Sequence, residues 1–312
     1  MTTFAFVFPG QGSQSVGMLD AWGDHQAVRR TLEEASAALG EDVAALIHDG
    51  PKERLDLTTN TQPVMLTAGI ACYRAWLAET GLAPTLVAGH SLGEYSALVA
   101  AGALTLADAL PLVRFRAQAM QDAVPVGAGA MAAILGADAD AVRAGCAAVA
   151  ASSGEVVEAV NFNDPKQTVI AGSKAGVEQA IPALKAAGAK RALLLPVSAP
   201  FHSSLMKPAA DRLKERLAQT PIAPPSIPVV NNVDVRCESE PPLVRDALYR
   251  QAFAPVRWVE IVRAMRAQGI AHIFECGPGK ALAGMVKRID ENAVTGTVLD
   301  PQTLAEVRGL LS

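Results

Sequence analysis

Basic excess is missing from this 312-residue chain: 27 Lys and Arg stand against 31 Asp and Glu, a formal charge of −4, and the pI is near 5.8. Nucleic-acid-binding surfaces carry the opposite balance, so no nucleic-acid partner is expected. Long apolar runs are also missing. No stretch of the roughly 18 residues a bilayer span needs escapes interruption by Gly, Pro or charge, so no membrane partner is expected. The start, Met1-Thr2-Thr3-Phe4, lacks the basic residues and apolar core of a secretion signal. The four cysteines, Cys72, Cys146, Cys237 and Cys276, form no Cys-x-x-Cys pair, which speaks against a disulfide framework or a thiolate metal site and for reduced thiols. No internal repeat is present. A cytoplasmic protein without metal is the expectation.

What is there is material for a core: 50% of the residues are hydrophobic, and the length suits two domains or one large domain with an insertion. Phe4-Ala5-Phe6-Val7-Phe8 reads as a buried strand stopped by Pro9-Gly10. Helical spacing follows over Ala27 to Leu39 and Val64 to Glu79, and Thr85 to Ala88 is strand-like, turning through Gly89–Gly93 into a helix from Glu94 to Ala101. Another helix spans Leu106 to Ala123. From Val126 the texture becomes Ala-, Gly- and Val-rich. Strands at Met131 to Leu135, Val156 to Asn161, Gln167 to Ala171 and Ala192 to Val197, with helices at Ala139 to Ala151 and Lys174 to Ala187, make a β-α-β-β-α-β order, the ferredoxin-like pattern. After Pro200 come helices at Leu205 to Gln219, Pro242 to Phe253, Val259 to Ala267 and Ala281 to Ile289, with strands at Pro228 to Val230 and Ile270 to Cys276. The expected fold class is α/β, a mostly parallel sheet covered on both faces, with a small ferredoxin-like subdomain inserted. Residues 1–125 and 199–312 form the large subdomain, and residues 126–198 the small one.

Gly89-x-Ser91-x-Gly93 is a nucleophile-elbow pattern: a sharp strand-to-helix turn lifts a serine hydroxyl above the sheet. The helix N-terminus behind it offers unpaired N–H groups where an oxyanion would form. A serine needs a base, and there are five histidines. His25 and His48 sit in polar surroundings and read as surface residues; His272 lies in a strand-like run and reads as a core histidine. His90 adjoins Ser91, and adjacent side chains in an elbow point apart. His202 falls in a loop between a strand and a helix, where catalytic residues collect, and is the foremost candidate on position, though position alone does not decide it. The loop Pro9-Gly10-Gln11-Gly12-Ser13-Gln14 reads equally well as a solvent turn or as a source of an oxyanion donor beside Leu92 N–H. It is no phosphate loop, because no Gly-Lys-Ser/Thr follows.

Together these segments resemble the malonyl-CoA:acyl carrier protein transacylases of bacterial fatty-acid synthesis, relatives of polyketide synthase acyltransferase domains. The carrying runs are Phe8 to Gln14, Thr61-Gln62-Pro63, Gly89 to Tyr95, Arg116 with Met120-Gln121, Asn161-Phe162-Asn163 and Phe201-His202-Ser203. Pro228 to Asn232, Gln251 ahead of Pro255 to Trp258, and Glu275 to Gly279 complete them. They run in family order over essentially the whole chain. The resemblance implies an α/β-hydrolase-like large subdomain, Ser91 as nucleophile, His202 as base, the backbone carbonyl of Gln251 orienting His202, and an oxyanion hole from the N–H groups of Gln11 and Leu92. It further implies substrate contacts from Arg116, Gln62, Asn161, Asn163 and Phe201, with Arg116 rather than Arg114 gripping the free carboxylate of malonyl. Leu92 and Phe201 fit the family's malonyl-preferring pocket over a methylmalonyl one.

The implied reaction takes malonyl from coenzyme A onto Ser91 and passes it to the phosphopantetheine thiol of an acyl carrier protein. Coenzyme A enters as a thioester substrate, and no tightly bound cofactor is implied. Two basic pairs, Lys190-Arg191 and Lys287-Arg288, are either solvated or meet the acidic carrier. A monomer is expected. Rival readings are a serine thioesterase on the same Ser91–His202 pair, a carrier-binding module without chemistry, and the same transfer serving polyketide synthesis or malonate decarboxylation.

Overall fold

The computed structural model describes residues 3–197 and 199–311, so the expected ends at residues 1, 198 and 312 lie outside the described residues. The strands, in chain order, are β1 (Phe4–Phe8), β2 (Leu86–Gly89), β3 (Gly129–Leu135), β4 (Val157–Asp164), β5 (Gln167–Ser173), β6 (Arg191–Leu194), β7 (Val229–Val230), β8 (His272–Cys276) and β9 (Val294–Val298). Five form one sheet in the order β7-β2-β1-β8-β9, and every pairing in it is parallel. The other four form an antiparallel sheet in the order β4-β5-β3-β6. That order, with the helices Ala139–Ser153 and Lys174–Ala186 between its strands, is the βαββαβ arrangement.

β1 shows why a continuous apolar run becomes a central parallel strand. All five of its residues are buried, as they must be when helices cover both faces. Its side chains alternate in size with the strand period of two. Phe6 and Phe8 meet Trp76 and Tyr73 of the Thr58–Thr80 helix edge-on, with ring centroids 5.3 and 6.0 Å apart. Ala5 and Val7 face the other way, into a cluster with Trp258, Ile261 and Met265. The two helical layers thus clamp β1 and, beside it, β2, which ends at the elbow.

The small sheet packs one face on its two helices. Its other face carries Met131, Ala133, Val160, Val169 and Ala171, joined by Leu195, Val197 and Phe201, and looks into the cleft between the subdomains. β4 is pinned across that cleft, since Phe162 N–H donates to Val256 O at 3.0 Å and Val256 N–H to Val160 O at 2.9 Å. Register shifts in β4 fall between Ala159 and Asn161 and between Phe162 and Asp164; such bulges re-aim side chains, here at Asn161 and Asn163. The four cysteines are free, three of them buried and Cys237 exposed.

Several elements differ from expectation. The helix expected over Val64 to Glu79 runs Thr58–Thr80 with Pro63 inside it. Its first turn is polar and therefore invisible to apolar periodicity; Thr61 Oγ1 donates to Leu55 O at 2.7 Å and helps to hold it. The strand expected to reach Val197 ends at Leu194, because after one bond from Leu195 N–H to Met131 O the chain peels away toward Phe201. β9 and the capped helix Pro301–Leu310 carry no clear signal in the sequence, since β9 is only partly buried and lacks a strong apolar signature.

Candidate active site

Gly89 closes β2 and Gly93 opens the helix Gly93–Ala100. A Cβ on Gly89 would fall 1.8 Å from the Gly93 carbonyl carbon, so the turn exists only without side chains at that contact. Ser91, between them, has φ of +52°, a left-handed conformation that serine adopts only when its surroundings impose it. Asn232 imposes it: its Oδ1 accepts from Ser91 N–H at 2.7 Å and its Nδ2 donates to Gly89 O at 2.7 Å. Asn232 is buried and comes from the loop after β7. Sequence reasoning gave it no role, although it closes the Pro228 to Asn232 run.

His202 approaches from the small-subdomain side on a loop tied by Ser203 Oγ to Pro200 O at 2.7 Å. Its Nδ1 lies 2.8 Å from the backbone oxygen of Gln251. A carbonyl can only accept, so Nδ1 carries the proton and Nε2 is left as the acceptor. Nε2 sits 2.6 Å from Ser91 Oγ, and the serine hydroxyl donates to it. Burial pushes the His202 pKa down to about 3, and the nearby Arg116 charge pushes it the same way. The imidazole is therefore neutral and ready to take a proton.

Arg116, on the helix Leu106–Asp122, is 2% exposed. It donates to Gln62 Oε1 at 2.7 Å, to Gln251 Oε1 at 3.0 Å and to Ser91 Oγ at 3.3 Å. All three partners are neutral, and no carboxylate lies within ion-pair distance among the described residues. Arg114, two positions earlier, faces outward and pairs with Glu41. The sequence could not separate the two arginines by spacing; the helix turns one in and the other out.

Over the elbow lies the loop at residues 9–14. Gly10 abuts it so closely that a Cβ there would sit 2.6 Å from His90 O and 3.8 Å from Leu92 N. The Gln11 side chain is turned aside, accepting from Thr58 Oγ1 at 2.7 Å. Neither Gln11 N–H nor Leu92 N–H donates to a protein group among the described residues. Leu92 is the N-cap of the elbow helix, so its amide belongs to the positive end of that helix. Both residues line a cavity of about 220 Å³ shared by Ser91, His202 and Arg116.

Asn161, Asn163, Gln62 and Phe201 line the same cavity. Asn163 Oδ1 is also 2.8 Å from His90 Nε2, so His90 is engaged away from the serine. His25 is half-buried beside Glu79, His48 is exposed beside Asp20, and His272 is half-buried in β8; none lines the cavity. The two basic pairs differ. Lys190 and Arg191 are exposed at the free edge of β6. Lys287 donates to Glu291 O and Ala293 O at 2.6 and 3.2 Å, and Arg288 to the Asp164 carboxylate at 2.7 Å.

The sequence also matches known proteins. The acyl transferase domain family covers residues 5–295. The malonyl CoA-acyl carrier protein transacylase of Escherichia coli K12 is 54% identical over 306 residues, 98% of each chain. A crystal structure of an acyl-carrier-protein S-malonyltransferase from Burkholderia pseudomallei superposes with a TM-score of 0.96 at 63% identity, covering 98% of this chain and 100% of that one. A structure of a type II PKS acyl-carrier protein in complex with its malonyl-transacylase matches with a TM-score of 0.96 at 48% identity, covering 98% of this chain and 99% of that one.

Proposed function

The chain belongs to the acyl transferase domain family, and from that premise we propose that it carries malonyl from coenzyme A to the phosphopantetheine thiol of an acyl carrier protein, as an ester on Ser91, supplying fatty-acid synthesis. The observation that carries this reading is Arg116, a buried guanidinium with only neutral partners, 3.3 Å from the serine hydroxyl. A cation held in a low-dielectric cavity with no carboxylate in hydrogen-bond contact is a seat for an anion brought by the substrate. Malonyl is an acyl group with a carboxylate at its far end, and a planar fork can grip that carboxylate with two bonds.

In the first half-reaction His202 Nε2 takes the Ser91 proton while Oγ attacks the thioester carbonyl. The oxyanion is received by the N–H groups of Gln11 and Leu92. Collapse breaks the C–S bond, and the coenzyme A thiolate leaves with the proton from Nε2. In the second half the carrier thiol gives its proton to Nε2 and attacks the ester, and Ser91 Oγ departs and recovers that proton. The two halves balance with no further cofactor, because one acyl group and one proton change hands each time. A neutral carbonyl behind the imidazole stabilises its cation less than a carboxylate would, which a thiolate leaving group tolerates.

The same reading gives the carrier a landing place. Lys190 and Arg191 are exposed beside Leu193 and Leu194, themselves 53% and 58% exposed, where β6 leads to the Leu195 and Val197 wall of the cavity. A basic and apolar lip suits an acidic carrier whose arm must enter there. Lys287 and Arg288 are engaged within the chain and are the weaker candidates. Charge reversal of Lys190 and Arg191 should raise the KM for carrier at low salt and spare loading from malonyl-CoA.

Intact-protein mass after mixing with malonyl-CoA tests the core of the proposal. Wild type should gain one malonyl group and lose it on adding carrier, and Ser91→Ala should gain none. Release of free malonate without carrier, at the transfer rate, would favour the thioesterase reading instead.

A further inference from the structure

Gln251 does more here than offer its backbone carbonyl to His202. It closes the helix Pro241–Gln251 and is fully buried. Its side-chain oxygen accepts from Arg116 at 3.0 Å, and its side-chain nitrogen donates to Ser91 O and to Glu94 Oε2, each at 2.9 Å. A carboxamide has one accepting end and one donating end, so whatever fixes the nitrogen fixes the oxygen. Were the amide reversed, NH₂ would face the guanidinium, donor against donor, and the arginine would lose its aim.

Glu94 is the group opposite that nitrogen. It lies in the first turn of the elbow helix, is 2% exposed, and lines no part of the cavity around Ser91. Its Oε2 also accepts from Asn232 N–H at 2.9 Å. The mechanism above does not use it. A buried carboxyl linked through one amide to the arginine that binds the acyl group is a costly arrangement for packing alone. We infer that Glu94 is a positioning residue for acyl selectivity: as an acceptor it holds the Gln251 amide in the orientation that aims Arg116 at the carboxylate end of the acyl group.

Burial pushes the Glu94 pKa up to about 7, so near neutrality the carboxyl exists in both forms. Either form keeps an oxygen for the Gln251 nitrogen. The link therefore needs an accepting oxygen rather than a charge, and Gln can supply one where Ala cannot. The second bond held by Glu94, to Asn232, supports the elbow and bears on every acyl group alike, so a ratio of acyl groups isolates the arginine branch.

The inference rests on malonyl transfer at Ser91. Its test is the ratio of malonyl to acetyl ester on Ser91, read by intact-protein mass after brief exposure to an equimolar mixture of malonyl-CoA and acetyl-CoA. Partial unfolding lowers both esters together and leaves the ratio unmoved, so a purely structural role would not shift it. E94A should lower the ratio about tenfold, the size of one hydrogen bond to a charged network, and E94Q should restore most of it. Q251L, which keeps the backbone carbonyl for His202, should lower the ratio at least as far. In that background E94A should lower it no further, since the path is already cut. An E94A or Q251L protein with the wild-type ratio overturns the inference, as do independent losses in the double variant or a failure of E94Q to rescue. Wild type without any malonyl ester would sink the malonyl-transfer reading along with it; wild type loaded and E94A unchanged in ratio sinks the Glu94 role alone.

Discussion

Replacing Arg116 with Ala probes the carboxylate seat directly. The guanidinium is already stripped of water, at 2% exposure, so only the incoming carboxylate has to be desolvated on binding. Two unit charges about 4 Å apart at an effective dielectric near 20 attract by about 4 kcal/mol. The carboxylate's own loss of water offsets part of that, but removing one partner of a buried pair leaves the other uncompensated, which costs about 3 to 5 kcal/mol, or a hundred- to several-thousandfold in rate. The second-order rate of malonyl loading, followed by rapid quench and intact-protein mass, should fall by that factor. Acetyl loading should rise. The cation that disfavours an uncharged acyl group is gone, and with it the charge that depresses the basicity of His202. Arg116→Met, which fills more of the vacated volume, should behave alike, and thermal unfolding checks that both variants are folded. Equal falls for the two acyl groups would refute the seat and reduce Arg116 to a structural part of the elbow.

Three further outcomes follow from single contacts. Gly10→Ala places a carbon 2.6 Å from His90 O, displacing the Gln11 amide; kcat should fall about a hundredfold, the usual cost of one oxyanion donor, with little change in KM. Asn232→Ala removes both straps from the elbow, so malonyl and acetyl loading should fall together by about tenfold or more, leaving their ratio as in wild type. Glu275 is buried beneath the helix Ala281–Ile289, accepting from Ala283 N–H at 2.9 Å, and burial pushes its pKa up to about 7 from 4.5. The native protein then holds a proton that the unfolded chain has released, so this stability is intact below pH 4.5 and lost as pH rises through 7. Urea unfolding should show Glu275→Gln gaining on wild type by on the order of 3 kcal/mol between pH 4.5 and 8; a difference flat across that range would contradict the shift.

The elbow was legible because its constraint is local: Gly89, Ser91 and Gly93 are neighbours in sequence, and the contact between the two glycines needs no distant partner. The inserted sheet was legible for a similar reason, since each of its strands is bounded by turns and periodic helices. His202 was harder. It lies 111 residues from Ser91, and what makes it a base is a carbonyl contributed by Gln251, which no side-chain pattern announces; family likeness supplied it. Asn232 and Glu94 were missed because their importance lies in joining β7, the elbow and the Pro241–Gln251 helix end. An Asn-Asn pair and a Glu at a helix start are commonplace in sequence. The first turn of the Thr58–Thr80 helix escaped because Thr58, Thr61 and Gln62 are polar yet buried, held by hydrogen bonds instead of apolar burial.

The backbone carbonyl behind His202 has a consequence for the rest of the site. In a serine hydrolase a carboxylate in that place orients the imidazole and stabilises its cation. Here the carbonyl belongs to the same residue whose side chain binds Arg116, so a carboxylate at that point would add a negative charge to the surroundings of the guanidinium. That charge would weaken the pull of the arginine on a substrate carboxylate. A neutral orienter adds no further negative charge beside the cation, and leaves a weaker base. The substrate can mend that weakness itself. Burial, the main cause of the low His202 pKa, stays in place, but when a carboxylate settles on Arg116 the second cause, the arginine charge, is offset, and the imidazole becomes a better proton acceptor at the moment the correct acyl group is in place. Selectivity would then be expressed in the chemical step as well as in binding, which is why the acetyl arm of the Arg116 experiment carries as much weight as the malonyl arm.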